Sequence, residues 1–87
     1  MSTITRTRKI VANNIIYFRI SKNMSQEDLA ELLETSPGYV SEIENAKRNL
    51  SCDYIDLIAN IFQIEPHELF VDRPPVTIRR INRHKKL

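Results

Sequence analysis

Two helix starts lie close together in this chain, and they constrain its fold more than any other feature. Ser25 is followed three residues later by Asp28, the aspartate form of a capping box. Ser36 is followed by Pro37, and proline at the first helical position loses no hydrogen bond. Only a sharp turn fits between the two segments. The sequence therefore predicts helices over about 26–34 and 37–45, joined by a turn at residues 34–36.

Apolar residues recur at helical spacing in both segments. Leu29, Leu32 and Leu33 predict one buried stripe on the first helix, and Val40 with Ile43 predicts the buried side of the second. Two short helices joined this tightly are typical of a helix-turn-helix, which places its second helix against DNA. An ordinary pair of packed helices is the alternative.

The flanking sequence predicts further helices on both sides of this pair. Residues 8–20 form a first helix, which Asn23 closes in a left-handed conformation. Ser51 caps a fourth helix, and Glu65 with Pro66 starts a short fifth one in which Leu69 and Phe70 are buried. We expect an all-α bundle of five helices over residues 8–70, with the motif at 25–44 and a basic extension at 71–87.

Composition excludes several classes of site. The single cysteine, Cys52, excludes an internal disulfide or a cysteine-rich zinc site, and the single glycine, Gly38, excludes a glycine-rich phosphate loop. His67 and His84 have no motif-spaced catalytic partners, so a hydrolase is disfavoured. We expect no catalytic residue, metal or cofactor. The chain has no long apolar run, which predicts a soluble cytoplasmic protein without a membrane partner.

The charge is unevenly distributed. Residues 1–70 carry seven Lys or Arg against ten acids, whereas residues 71–87 carry six against one. The body of the domain is therefore acidic, and any binding to nucleic acid must depend on a local basic edge.

Seven positions of the motif carry a family resemblance: Gln26, Ala30, Ser36, Val40, Ser41, Ile43 and Glu44. At these positions the chain resembles the phage lambda-type repressor and Cro (XRE-like) helix-turn-helix family, and the resemblance extends from about Val11 to Phe70. It implies a five-helix, lambda-repressor-like domain in a small bacterial or phage regulator. Such a regulator binds double-stranded DNA at a near-palindromic operator as a homodimer, by default as a repressor. Controller proteins of restriction-modification systems and antitoxin-type autoregulators are similar, and a protein-interaction adaptor on the same fold is a further alternative.

The resemblance also implies site residues. Those expected to contact DNA are Gln26, Ser36, Gly38, Tyr39, Ser41, Glu42, Asn45, Lys47, Arg48 and Asn49. Glu42 either accepts from a cytosine amino group or is a salt-bridged bystander. Arg19 and Glu44 are expected to form a partly buried ion pair that serves the scaffold.

The last two helices are expected to form the dimer surface, and the tail has several possible arrangements. A dimer surface built from Ile61, Ile64 and Phe70 follows from the resemblance, although Phe70 could instead close the core. Residues 76–81 have the β-branched content of a short strand. The tail either pairs with a second copy, folds back on the first helix, or remains a free basic arm that binds phosphate, which is the arrangement we expect.

Overall fold

The computed structural model describes residues 3–81 of the chain. Four α-helices are present in that range: α1 (Arg6–Ser21), α2 (Gln26–Leu33), α3 (Pro37–Glu44) and α4 (Cys52–Phe62). A 3-10 helix follows at Pro66–Phe70. The all-α class is confirmed, and no strand forms in the described part of the chain.

A side chain caps the start of every α-helix. Ser25 accepts from the Asp28 backbone N–H at 3.0 Å, and the Asp28 carboxylate accepts from the Ser25 N–H at 2.8 Å, which confirms the capping box. Ser36 and Ser51 cap α3 and α4 as predicted. The first helix begins two residues earlier than predicted because Thr5 caps it.

The four α-helices also end alike, each followed by one residue in the left-handed conformation. These residues are Asn23, Glu34, Ala46 and Gln63, with φ between 57° and 62°. After α3 the Lys47 N–H donates to the Glu42 carbonyl at 2.9 Å and the Ala46 N–H to the Ile43 carbonyl at 3.0 Å. This is a Schellman motif, which usually contains glycine. The chain uses none at these four ends.

The core combines residues from all of the helices. Its buried members are Val11, Ile15, Phe18, Leu29, Ala30, Leu33, Val40, Ile43, Ile58, Ala59, Phe62 and Leu69. The prediction for Leu32 is wrong, since this residue is 52% exposed. Leu29, Leu33 and Ala30 cover an arc of about 100° on α2, and Leu32 lies about 60° outside that arc.

The fifth helix is a 3-10 helix rather than an α-helix. Leu69 is fully buried as predicted, but Phe70 is 44% exposed, so its predicted burial is wrong. A 3-10 helix turns about 120° per residue, and adjacent residues therefore point in different directions.

The chain after the 3-10 helix folds back along α1, and we term residues 71–81 the carboxyl-terminal strap. Asn14, fully buried within α1, donates to the carbonyls of Ile10 (3.1 Å), Leu69 (2.8 Å) and Val71 (2.7 Å). Its Oδ1 accepts from Arg73 Nε at 2.6 Å. The expected free arm is therefore wrong for this segment.

A second asparagine holds the middle of the strap. Asn13 donates to the carbonyls of Arg73 (3.4 Å) and Pro74 (3.0 Å), and its Oδ1 accepts from the Val76 N–H at 2.7 Å. The predicted strand at 76–81 is wrong: Asn13 accepts from the Val76 N–H, which would otherwise donate to a strand partner, and residues 76–81 run beside α1 without regular secondary structure. The basic residues Arg83, Lys85 and Lys86 lie outside the described residues.

Candidate nucleic-acid interface

A buried ion pair fixes the end of α3 against α1. Arg19 Nε lies 2.6 Å from Glu44 Oε2, and Arg19 Nη2 lies 3.1 Å from Glu44 Oε1. The two side chains are 1% and 0% exposed, so the pair is fully rather than partly buried. Arg19 Nη1 also donates to the Met24 carbonyl at 2.9 Å, at the turn before α2. One arginine thus connects α1, this turn and α3.

Gln26 ties the start of α2 to the same carboxylate. Its Nε2 donates to Glu44 Oε1 at 2.9 Å, and the residue is half-buried at the first position of α2. The side chain that the resemblance assigns to a DNA phosphate is therefore held in place by the scaffold. Because the carboxylate accepts from both Arg19 and Gln26, the start of α2 and the end of α3 form one rigid corner.

The outward face of α3 is open at its amino-terminal end. Ser36, Pro37 and Gly38 are exposed, and Ser36 Oγ accepts from the Tyr39 N–H at 3.1 Å. A Cβ added at Gly38 would meet only the Ser36 hydroxyl, at 3.8 Å. The fold itself therefore does not require glycine at position 38. Without a side chain, Gly38 leaves its backbone uncovered on this face.

Glu42 and Arg48 form a second, exposed ion pair beside this face. Arg48 Nη2 lies 2.6 Å from Glu42 Oε1, and the side chains are 48% and 45% exposed. The guanidinium also stacks over the Tyr39 ring, 4.9 Å from its centroid. The acid that could read cytosine and the cation that could bind phosphate therefore engage each other in the free protein.

Tyr39 packs at the edge of the core instead of standing free. Its ring meets that of Tyr54 edge-on, with centroids 6.3 Å apart. Burial raises the pKa of Tyr54 above its ordinary value of 10.0, and the neighbouring Tyr39 adds to the effect. Tyr54 is therefore uncharged at neutral pH, and the ring pair supports α3 on α4.

The chain leaves α3 through Ala46, which adopts the left-handed conformation with φ of 62°. Asn45 is exposed, and its Nδ2 donates to the Ser41 carbonyl at 2.9 Å and lies 3.4 Å from Ser41 Oγ. Lys47 and Asn49 are exposed in the loop that follows. The loop therefore places polar and cationic groups next to the outward face of α3.

The predicted dimer residues differ in their accessibility. Ile61 and Ile64 are half-buried against the core, whereas Phe70 and its neighbour Val71 are 44% and 42% exposed. Of the predicted dimer residues, only Phe70 is therefore largely accessible to a second copy.

The sequence interpretation missed the residues that hold the strap. Asn14 falls three residues after Val11 and four before Phe18, so it occupies the apolar face of α1. A polar side chain at a core position requires internal partners, and this signal could have predicted a packed tail. Arg73 stacks on Tyr17 and Phe18, at 4.5 and 5.1 Å from the ring centroids.

No group of three or more His, Cys, Asp or Glu residues within residues 3–81 could hold a metal ion. Likewise, none of the helices described is long and apolar enough to cross a membrane.

A family comparison agrees with this geometry. Residues 15–69 match the model of the helix-turn-helix family, which covers α2, α3 and the elements that hold them. The chain belongs to the helix-turn-helix family.

Three relatives of this helix-turn-helix chain are informative. The control protein C.BamHI of Bacillus amyloliquefaciens is 36% identical over 63 residues, which are 71% of this chain and 78% of the relative. The crystal structure of the restriction-modification controller protein C.AhdI from Aeromonas hydrophila is 35% identical, with a TM-score of 0.67 over 72% of this chain and 96% of that one. The controller protein C.Esp1396I, solved as a tetramer with its natural 35 base-pair operator, is 30% identical, with a TM-score of 0.67 over 76% and 87% of the two chains.

Proposed function

We propose that this protein is a transcriptional regulator that binds a specific DNA operator as a homodimer. The observation that carries the proposal is the rigid corner at Glu44, which holds the start of α2 and the end of α3 through Arg19 and Gln26. A helix-turn-helix recognises DNA by presenting these two helices in a constant relative orientation. The family membership of residues 15–69 supports the same function.

We infer a role for each part of the surface from its position on the helix-turn-helix. The outward face of α3 enters the major groove, where Gly38 allows close approach and Ser41 can hydrogen-bond to a base edge. The start of α2 lies over the backbone, where its N–H groups and Gln26 bind a phosphate. Lys47 and Asn49 hold the backbone on the other side of α3.

Dimerisation follows from the size of the interface. One domain of this size contacts a half-site of a few base pairs, which is too little for specific binding at cellular salt concentrations. Exposed Phe70 and the half-buried Ile61 and Ile64 are the apolar residues that we assign to contact with a second copy. Two recognition helices would then lie one helical turn of DNA apart.

A controller of a restriction-modification system is the specific role that the relatives favour. C.BamHI is a control protein, and C.AhdI and C.Esp1396I are controller proteins of such systems. C.Esp1396I is a tetramer in complex with its operator, so we infer that two dimers of this chain can also occupy one operator together. Simple repression, in which the bound dimer blocks RNA polymerase, is the default mechanism.

The test is an anisotropy titration of the full chain with duplexes from upstream of its own gene and with scrambled duplexes. We expect a preference for one upstream duplex and a loss of affinity as salt is raised between two concentrations. Equal binding to all duplexes would reject the specific regulator, and absence of DNA binding would favour a protein-interaction adaptor. The genes beside the bound site would then identify the controller role.

A further inference from the structure

Arg79, in the strap, lies beside the carboxyl-terminal end of α3. The backbone carbonyl of Arg79 accepts from Arg19 Nη2 at 2.6 Å, and its Nη1 donates to Asn45 Oδ1 at 3.0 Å. Arg19 is the arginine that binds Glu44, and Asn45 is the C-cap of α3. The backbone of Arg79 therefore contacts the arginine that holds α3, and its side chain contacts the residue that ends α3.

A groove lies between this part of the strap and the start of α2. Its volume is about 620 Å³. The lining residues are Arg19, Ser25, Gln26, Glu27, Arg79, Arg80 and Ile81. One wall carries two arginines of the strap, and the other carries the first turn of α2, where Glu27 supplies an acid and the capping box already engages the Ser25 and Asp28 N–H groups. The positive charge of the groove therefore comes from the strap.

The charge balance of this surface makes the strap important. Glu44 offsets Arg19 and Glu42 offsets Arg48, so these two cations are already neutralised by acids. Within residues 3–81, neither Arg79 nor Arg80 makes an ion pair, and the partner of the Arg79 guanidinium is the neutral amide of Asn45. Both arginines therefore keep a full positive charge for an external anion.

We propose that Arg79 and Arg80 bind phosphates of the DNA backbone and that the strap is thus part of the DNA-binding surface. The proposal rests on the proposed function and adds contacts that the helix-turn-helix motif does not contain. Asn13 and Asn14 hold the strap before DNA arrives, so little conformational freedom remains to be lost on binding. Because the contacts are to phosphates, they raise affinity for all sequences alike.

The test compares Arg79→Gln and Arg80→Gln with the unaltered full chain, by anisotropy on its operator duplex and a scrambled duplex. Each substitution removes one phosphate contact per protomer, so it should weaken both complexes about eightfold per bound protomer at ~0.1 M monovalent salt and reduce the salt slope by about 0.9 per protomer. For a bound dimer these effects become about 60-fold and about 1.8. Arg6→Gln is the matched control, because Asp72 already offsets Arg6 at 2.8 Å. It should change neither quantity by more than about twofold.

A variant that keeps every charge tests whether the arginines must be held in position by the strap. Asn13→Ala removes the contacts to Pro74 and Val76 but leaves every arginine in the chain. It should also weaken both complexes, by less than Arg79→Gln, with helix content unchanged by circular dichroism. An unaffected Asn13→Ala would show that the arginines act without a fixed strap.

Loss of the strap contact and loss of the proposed function give different binding results. If the unaltered chain prefers its operator and Arg79→Gln binds as tightly as before, only the strap contact is overturned. Tighter binding by Arg79→Gln would also overturn it, since the strap would then cover the surface instead of extending it. If the unaltered chain binds no duplex, both proposals fail together.

Discussion

Two guanidinium nitrogens of Arg48 lie 2.6 and 2.8 Å from a single oxygen of Glu42, Oε1. The pair is half exposed, so solvent screens it and its contribution to folding is small, about 0 to 1 kcal/mol. Its importance lies in binding. While the pair persists, Glu42 lowers the positive charge that Arg48 can offer to a phosphate.

Glu42→Gln tests that relationship. Removing the carboxylate frees Arg48, so we expect tighter binding to operator and scrambled duplexes alike, by about eightfold per bound protomer at ~0.1 M salt. Anisotropy titrations at two salt concentrations measure this, and Arg48→Ala should have the opposite sign. A changed preference at one base pair, with unchanged affinity for scrambled DNA, would show instead that Glu42 reads a cytosine.

Glu44→Gln should destabilise the fold by about 3 kcal/mol, because Arg19 is left as a buried charge without its carboxylate. Urea unfolding followed by circular dichroism gives the free energy of unfolding. Glu42→Gln is the matched control, two residues earlier on the same helix, and should cost less than about 1 kcal/mol. Equal losses at the two positions would contradict the role assigned to the buried pair.

Asn14→Leu should lower the free energy of unfolding by about 2 kcal/mol. The leucine has a similar volume, but it leaves the carbonyls of Leu69 and Val71 without their buried donor. The same urea experiment measures the loss, and Asn13→Ala, at a more accessible site, should lose less. A neutral or stabilising result would mean that the strap is not held through Asn14.

Phe70→Ser should weaken self-association while the monomer remains folded, because Phe70 is 44% exposed and contributes little to the core. Sedimentation equilibrium measures the dimer dissociation constant. Leu32→Ser, at a 52% exposed position on α2, is the control and should leave the dimer intact. If Phe70→Ser self-associates like the unaltered chain, the dimer uses another surface.

Gln63→Gly should stabilise the protein by about 0.5 to 1 kcal/mol, since glycine adopts φ near 59° without the strain of a side chain. Thermal unfolding compares the variant with the unaltered chain. Ala46→Gly should gain less, because the Ala46 methyl is buried and its packing is lost. A loss of stability at position 63 would show that the side chain there contributes more than the strain costs.

The elements of the motif could be predicted because their signals are local. Ser25, Ser36 and Ser51 each cap a helix through a hydrogen bond that spans only three residues. Sequence spacing is sufficient to recognise such contacts. The left-handed conformation of Asn23 is confirmed for the same reason.

The errors concern contacts between distant parts of the chain. Asn14 and Val71 are 57 residues apart, and Arg19 and Arg79 are 60 apart, so no local pattern in the tail indicates where it packs. The wrong prediction that Leu32 is buried has a different cause. Its helix buries only a narrow arc, and the spacing rule cannot tell which of three neighbouring leucines falls outside it.

The course of the strap also affects how the protein can be handled. The described chain ends at Ile81, which lines the groove shared with Ser25 and Gln26. An extended chain of six residues reaches at most about 20 Å. An affinity tag or fluorophore attached within six residues after Ile81 would therefore begin within reach of the proposed DNA-binding surface, and a polyhistidine or acidic tag there would alter the affinity that the titrations measure.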